Sequence, residues 1–138
     1  MAMLPLDTNV IIAAADTDEP HHPACAELLR RHRGELVVPT PVVVESSWLI
    51  EDRLGPGAEA KFLRSVTSGV LRRLDLTEDD WERVTTLVET YADLGLGLVD
   101  ASVIAVAERL GATAIATLNH RDFMVVRPRH VAAFELVP

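Results

Sequence analysis

Five short apolar runs, at 2–7, 36–38, 70–74, 113–117 and 124–126, alternate along the chain with segments whose apolar residues recur at helical spacing. That alternation is the strongest constraint on the fold, because buried strands joined by helices build a parallel sheet whose faces the helices cover. Asp18 and Pro20 open one helical segment, in which Ala24, Leu28, Leu29 and His32 share a face before Gly34 stops it. Thr40 and Pro41 start a second, running through Trp48, Leu49 and Leu54 to Gly55. After the turn Gly55-Pro56-Gly57, Phe62, Leu63 and Val66 mark another. Thr77-Glu78-Asp79-Asp80 has the form of an N-cap with acids in the first turn, leading into Trp81, Val84, Val88 and Tyr91. Asp100 is read as the cap of a last helix through Val103, Ile104, Ala107 and Leu110, with Gly111 as its stop. The expected architecture is α/β, three layers in α/β/α order around a short-stranded, mainly parallel sheet, in one domain spanning 1–138.

With 138 residues, 49% of them hydrophobic and 25% charged, such a chain can bury a core without disulfides. No apolar run approaches the roughly 20 residues that cross a bilayer, and the N-terminus lacks the basic region of a signal peptide. A cytoplasmic protein with no membrane partner is therefore expected. Cys25 stands alone, which excludes an internal disulfide and a multi-thiolate metal site. The net charge of −8 has the wrong sign for holding nucleic acid mainly by counterion release, although bound divalent cations offset acidic clusters locally.

In an open parallel sheet, ligands bind beyond the carboxyl ends of the strands, near the point where strand order reverses. Asp7 follows the first apolar run at that edge, where it also fits an N-cap. Glu45 lies one turn into a helix among Val42, Val43, Val44, Trp48 and Leu49; the alternative is a solvent-facing stripe shared with Ser46, Ser47, Glu51 and Asp52. Asp100 opens a helix that is apolar nearly all round, and a further apolar run leads into Asn119-His120-Arg121-Asp122. This oxygen-rich set, with no histidine or cysteine at ligand spacing, suits Mg²⁺ or Mn²⁺ and not zinc. Carboxylates that converge without a cation raise one another's pKa values, and a divalent ion resolves that conflict while activating water for attack on a phosphodiester.

Leu6-Asp7-Thr8-Asn9, Glu45 in the helix after the second strand, Leu98-Val99-Asp100-Ala101, and Ala116-Thr117-Leu118-Asn119-His120-Arg121-Asp122-Phe123 together resemble the PIN-domain fold over nearly the whole chain. The compact length and the lead-in Tyr91-Ala92-Asp93-Leu94 are similar, within that fold, to the VapC-type toxins of bacterial toxin–antitoxin pairs. The resemblance implies a Mg²⁺- or Mn²⁺-dependent endoribonuclease with Asp7, Glu45 and Asp100 as its acidic pocket and metal ligands. Its implied partners are an RNA substrate, a cognate antitoxin and a second copy in a homodimer. Asn119 stands where the family commonly has a fourth acid; its carbonyl can ligate as an outer ligand, but the amide adds no charge and is no general base. Asp122 either supplies that charge or caps the loop before Phe123.

Thr8, Asn9, Ser46 and Thr117 flank the acids, either to hydrogen-bond a ligand or to cap local backbone. Arg121, Arg127, Arg129, His120 and His130 form a late basic cluster that either faces RNA phosphates or is solvated counter-charge. Leftover apolar faces of the helices at 24–32 and 41–54 are candidate surfaces for a dimer or antitoxin. A phosphoacceptor domain would need paired acids after the first strand and a late lysine, yet Lys61 is the last lysine. An aspartyl phosphatase would need an acid where Asn9 stands. The remaining alternative is a PIN-fold binding protein, catalytically weakened by Asn119, that acts through antitoxin or RNA binding.

Overall fold

The computed structural model describes residues 2–138. Three strands, β1 (Leu4–Pro5), β2 (Leu36–Pro39) and β3 (Arg72–Leu74), pair in parallel in that order, and β4 (Ala114–Ala116) pairs in parallel with β5 (Glu135–Val137). A parallel bridge between Leu6 and Ala116, with Asp7 N donating to Ala116 O at 2.9 Å, joins the two sets. The composite order is β3-β2-β1-β4-β5, so the direction of strand addition reverses between β1 and β4. All of β2 is buried although its side chains alternate between the two faces, which requires helices on both sides. The edge strand β3 instead exposes Arg72 and Arg73, charges that discourage pairing with another sheet.

The helices are α1 (Thr8–Ala15), α2 (His22–Arg31), α3 (Thr40–Leu54), α4 (Pro56–Thr67), α5 (Glu78–Thr90), α6 (Leu98–Leu110) and α7 (His120–Val125), with a 3-10 turn at Ala92–Leu94. Thr77 and Asp80 form the reciprocal capping box at the start of α5. Ala101 through Ala107 of α6 are all buried, including Val103, Ile104 and Val106 at the centre of the core. Each such side chain contributes about 1.5–3 kcal/mol by burial. Helix α3 packs against both α1 and α6, which brings three chain segments to the carboxyl end of β1.

Three local expectations are corrected. Met124 and Val125 belong to the last turn of α7 and not to a strand; both are exposed, and only Val126 of that run is buried. The fifth strand is Glu135–Val137, a peripheral segment without strand-length apolar patterning. Asp100 is not the cap of α6, because the helix begins at Leu98 after Gly97 and carries Asp100 in its first turn. Among the described residues, no helix is long and apolar enough to cross a membrane.

Candidate active site

Asp7 sits where β1 ends and α1 begins, at the reversal of strand order, and is 4% exposed. Its Oδ1 accepts from Thr8 N at 2.8 Å, the cap expected from the sequence, and its Oδ2 accepts from Thr117 Oγ1 at 2.8 Å. Thr117 follows β4, so the bond ties the two strands that flank the reversal. Asn9 reinforces the same seam: its Oδ1 accepts from Leu118 N at 3.1 Å, while Asn119 N donates to Thr117 Oγ1 at 3.0 Å. Burial nonetheless pushes the Asp7 carboxyl above its usual range, against the lowering effect of these bonds, and the nearby Glu45 charge adds to the rise.

Helix α3 brings Glu45 and helix α6 brings Asp100, both half-buried, towards Asp7. Asp100 is pushed up to about 6, first by burial and then by the charges of Asp7, Glu45 and Asp122. That pattern is the electrostatic signature of carboxylates gathered without a counter-ion. Asp7, Glu45, Asp100 and Asn119 line one cavity of about 270 Å³, together with Thr8, Asn9 and Leu118. The hydroxyl of Thr8, buried in its wall, has no hydrogen-bond partner.

Among the described residues, no three acidic, histidine or cysteine side chains are gathered tightly enough to enclose an ion. The donor set still suits Mg²⁺ or Mn²⁺, since such ions are held by one or two carboxylates and keep several waters, for which an open cavity leaves room. All the anionic donors are oxygens, and their mutual repulsion is the condition a cation relieves. Asn119, expected as an outer ligand, lines the cavity and has its amide engaged at the start of α7. Its Oδ1 caps α7 by accepting from Asp122 N at 3.3 Å, and its Nδ2 donates to Asp122 Oδ2 at 2.9 Å. The amide thereby fixes Asp122, whose charge reaches Asp100.

The late basic cluster is not assembled at this cavity. Arg129 and His130 line a separate one with Arg83, Glu108 and Arg109, and His130 Nε2 lies 2.6 Å from Ala112 O. Arg127 holds Met124 O, and His120 Nε2 lies 3.0 Å from Thr117 O. Ser46 is buried beside Glu45 in sequence with its hydroxyl unpartnered, and Asp93 is exposed in the 3-10 turn. Two charged residues that no sequence motif singled out reach the cavity wall: Glu19 from the α1–α2 connection and Arg53 from α3. Arg53 was discoverable, since Glu45, Leu49 and Arg53 recur at four-residue intervals on one helix face.

The PIN domain family model matches residues 5–127. The chain is 31% identical over 133 residues to ribonuclease VapC26 of Mycobacterium tuberculosis, covering 96% of this chain and 98% of that one. Among solved structures, it resembles Mycobacterium tuberculosis VapC20, a sarcin-ricin-loop-cleaving toxin, with a TM-score of 0.75 at 20% identity over 81% of this chain and 86% of that one. It also resembles a toxin–antitoxin complex from Klebsiella pneumoniae, with a TM-score of 0.69 at 18% identity, covering 89% of this chain and 92% of the other.

Proposed function

This chain belongs to the PIN-domain family and, within it, to the VapC-type toxin ribonucleases, and on that footing we propose that it is a Mg²⁺- or Mn²⁺-dependent endoribonuclease, the cytoplasmic toxin of a toxin–antitoxin pair. The observation that carries this reading is the convergence of Asp7, Glu45 and Asp100 on one cavity at the reversal of strand order, with Asp100 raised to about 6 by burial and by its acidic neighbours. Asp7 and Asp100 would hold the ion, with Glu45 as a ligand directly or through water. The chemistry such an ion would supply there is charge neutralisation at an RNA phosphodiester and a lowered pKa for the attacking water. Glu45 orients that water, Thr117 keeps the Asp7 carboxylate aimed into the cavity, and Asn119 holds Asp122 beside the group as the added negative charge.

Residues 1–138 act as one domain in this reading, with an antitoxin as the protein partner. The homodimer surface is the apolar groove lined by Val44, Trp81 and Leu98, all of them exposed, with Trp48 one turn beyond Val44 on α3. The purified chain should cut structured RNA in Mg²⁺ or Mn²⁺ and stop cutting in chelator or as Asp7→Asn. RNA left whole across titrations of both metals sinks the enzyme reading. Persistent antitoxin binding in that event would leave the weakened binding protein.

A further inference from the structure

We propose that Arg53 binds a phosphate of the RNA strand adjacent to the one being cut, and that Glu19 occupies its guanidinium until RNA displaces it. The inference rests on the ribonuclease reading and adds a strand-positioning residue to it.

Arg53 is the one basic side chain, among the described residues, in the wall of the cavity that holds Asp7, Glu45 and Asp100. It shares a face of α3 with Glu45 and Leu49, and at 1.5 Å rise per residue it lies roughly 12 Å from Glu45 along the helix axis. That offset of about two helical turns sets Arg53 to one side of the acids on the wall of the same cavity, where a neighbouring phosphate of a bound strand would pass. An acidic cavity in a chain of net charge −8 repels a polyanion, so a strand entering it gains from a cation placed beyond the acids.

The ion pair that Arg53 makes is of a kind that exchanges. Arg53 Nη1 donates to Glu19 Oε1 at 2.8 Å, with the two side chains 43% and 31% exposed. Exposed pairs of this sort contribute little to stability. Arg83, by contrast, binds Glu108 through both Nε and Nη2. Arg53 engages Glu19 through Nη1 alone, a pair that a phosphate can displace, and the released fork has the geometry with which arginine grips phosphate. Glu19 belongs to the connection between α1 and α2, so the pair bridges that connection to α3 across the cavity wall.

The test compares Arg53→Ala, Arg53→Lys and Glu19→Gln in the full chain. It measures steady-state cleavage of a single-stranded RNA oligonucleotide, binding of the same oligonucleotide in chelator as a function of salt, Mn²⁺ affinity and melting temperature. Arg53→Ala should raise KM on the order of tenfold with a much smaller change in kcat, and should reduce the slope of log K against log[salt] by about 0.7, the loss of one single-strand phosphate contact. Arg53→Lys should recover part of the binding and the slope. Glu19→Gln should leave KM equal or lower, because it frees the guanidinium, and Mn²⁺ affinity should hold in all three. A merely structural bridge would move Arg53→Ala and Glu19→Gln in the same direction, and that result overturns the proposal, as does an unchanged slope in Arg53→Ala. If the wild type binds RNA without cutting it, the ribonuclease reading fails while the binding arm still decides Arg53; if it neither binds nor cuts, both fall.

Discussion

Two groups of buried and half-buried carboxylates in this molecule are treated in opposite ways. Between α5 and α6, Glu108 receives Arg83 at 2.7 and 2.9 Å and Arg129 N at 2.7 Å, while Asp80 receives Arg109 at 2.9 Å and closes its own capping box. Each of those two carboxylates is paired with an arginine. At the carboxyl end of β1, Asp7, Glu45 and Asp100 face one another, and among the described residues none of the ion pairs includes them. Side chains of the same chemistry thus serve a settled ion-pair network in one place and, in the other, a cavity where no protein cation among the described residues pairs with them. The network fastens two helices; the cavity retains an electrostatic demand that a divalent ion can meet.

Substitutions that exchange these behaviours test the contrast. Asp7→Asn should lower RNA cleavage by on the order of 10³-fold, the several kcal/mol that charge stabilisation by an ion supplies, with the fold retained by circular dichroism. Glu108→Ala should do the reverse, costing about 3 kcal/mol in denaturant unfolding because it strands the Arg83 guanidinium, which is 13% exposed, while metal dependence persists. If Glu108→Ala instead abolished metal dependence in a folded protein, the two clusters would not be separable. Thr117→Val removes the hydroxyl that aims Asp7 and should weaken Mn²⁺ binding about 10–100-fold by calorimetry.

The smallest effect is one of pH. Since the Asp100 carboxyl is raised to about 6 in the fold against 3.8 as its ordinary value, the folded chain binds more protons than the unfolded one between those limits. Its contribution to stability is full below about pH 4, falls as pH rises, and is lost above about 6. In chelator, Asp100→Asn should therefore melt above the wild type at pH 7 and lose that advantage near pH 4. Added Mg²⁺ should close the gap at pH 7 by stabilising the wild type. A melting difference that stays constant from pH 4 to 8 would show that Asp100 carries no such strain.

Local rules made much of this molecule legible. The apolar run at 36–38, the stop at Gly111 and the N-cap at Thr77 each depend on residues within a few positions, and each stands as expected, the strand extending one residue further to Pro39. The run Met124-Val125-Val126 misleads because a three-residue apolar stretch has no period with which to tell a strand from a helical turn. β5 escapes notice because its pairing with β4 is decided across the sheet. At the site, Asp7, Glu45, Asp100 and Asn119 were legible as motifs, and the cavity gathers all four. The Thr117 bond to Asp7 spans 110 residues, and the Arg53–Glu19 pair spans 34, so neither geometry was available from spacing.

The sequence by itself determined the alternation of strand and helix and which acids stand at strand ends or in a helix's early turns, because propensity, capping and hydrophobic period act over a few residues. Only the tertiary structure decided that β4 adds beside β1, that α3 and α6 bring Glu45 and Asp100 to Asp7, and that Asn119 holds Asp122. Burial and charge repulsion depend on distances through space between residues far apart in the chain, and those distances exist once the core around Val103, Ile104 and Ile115 is packed.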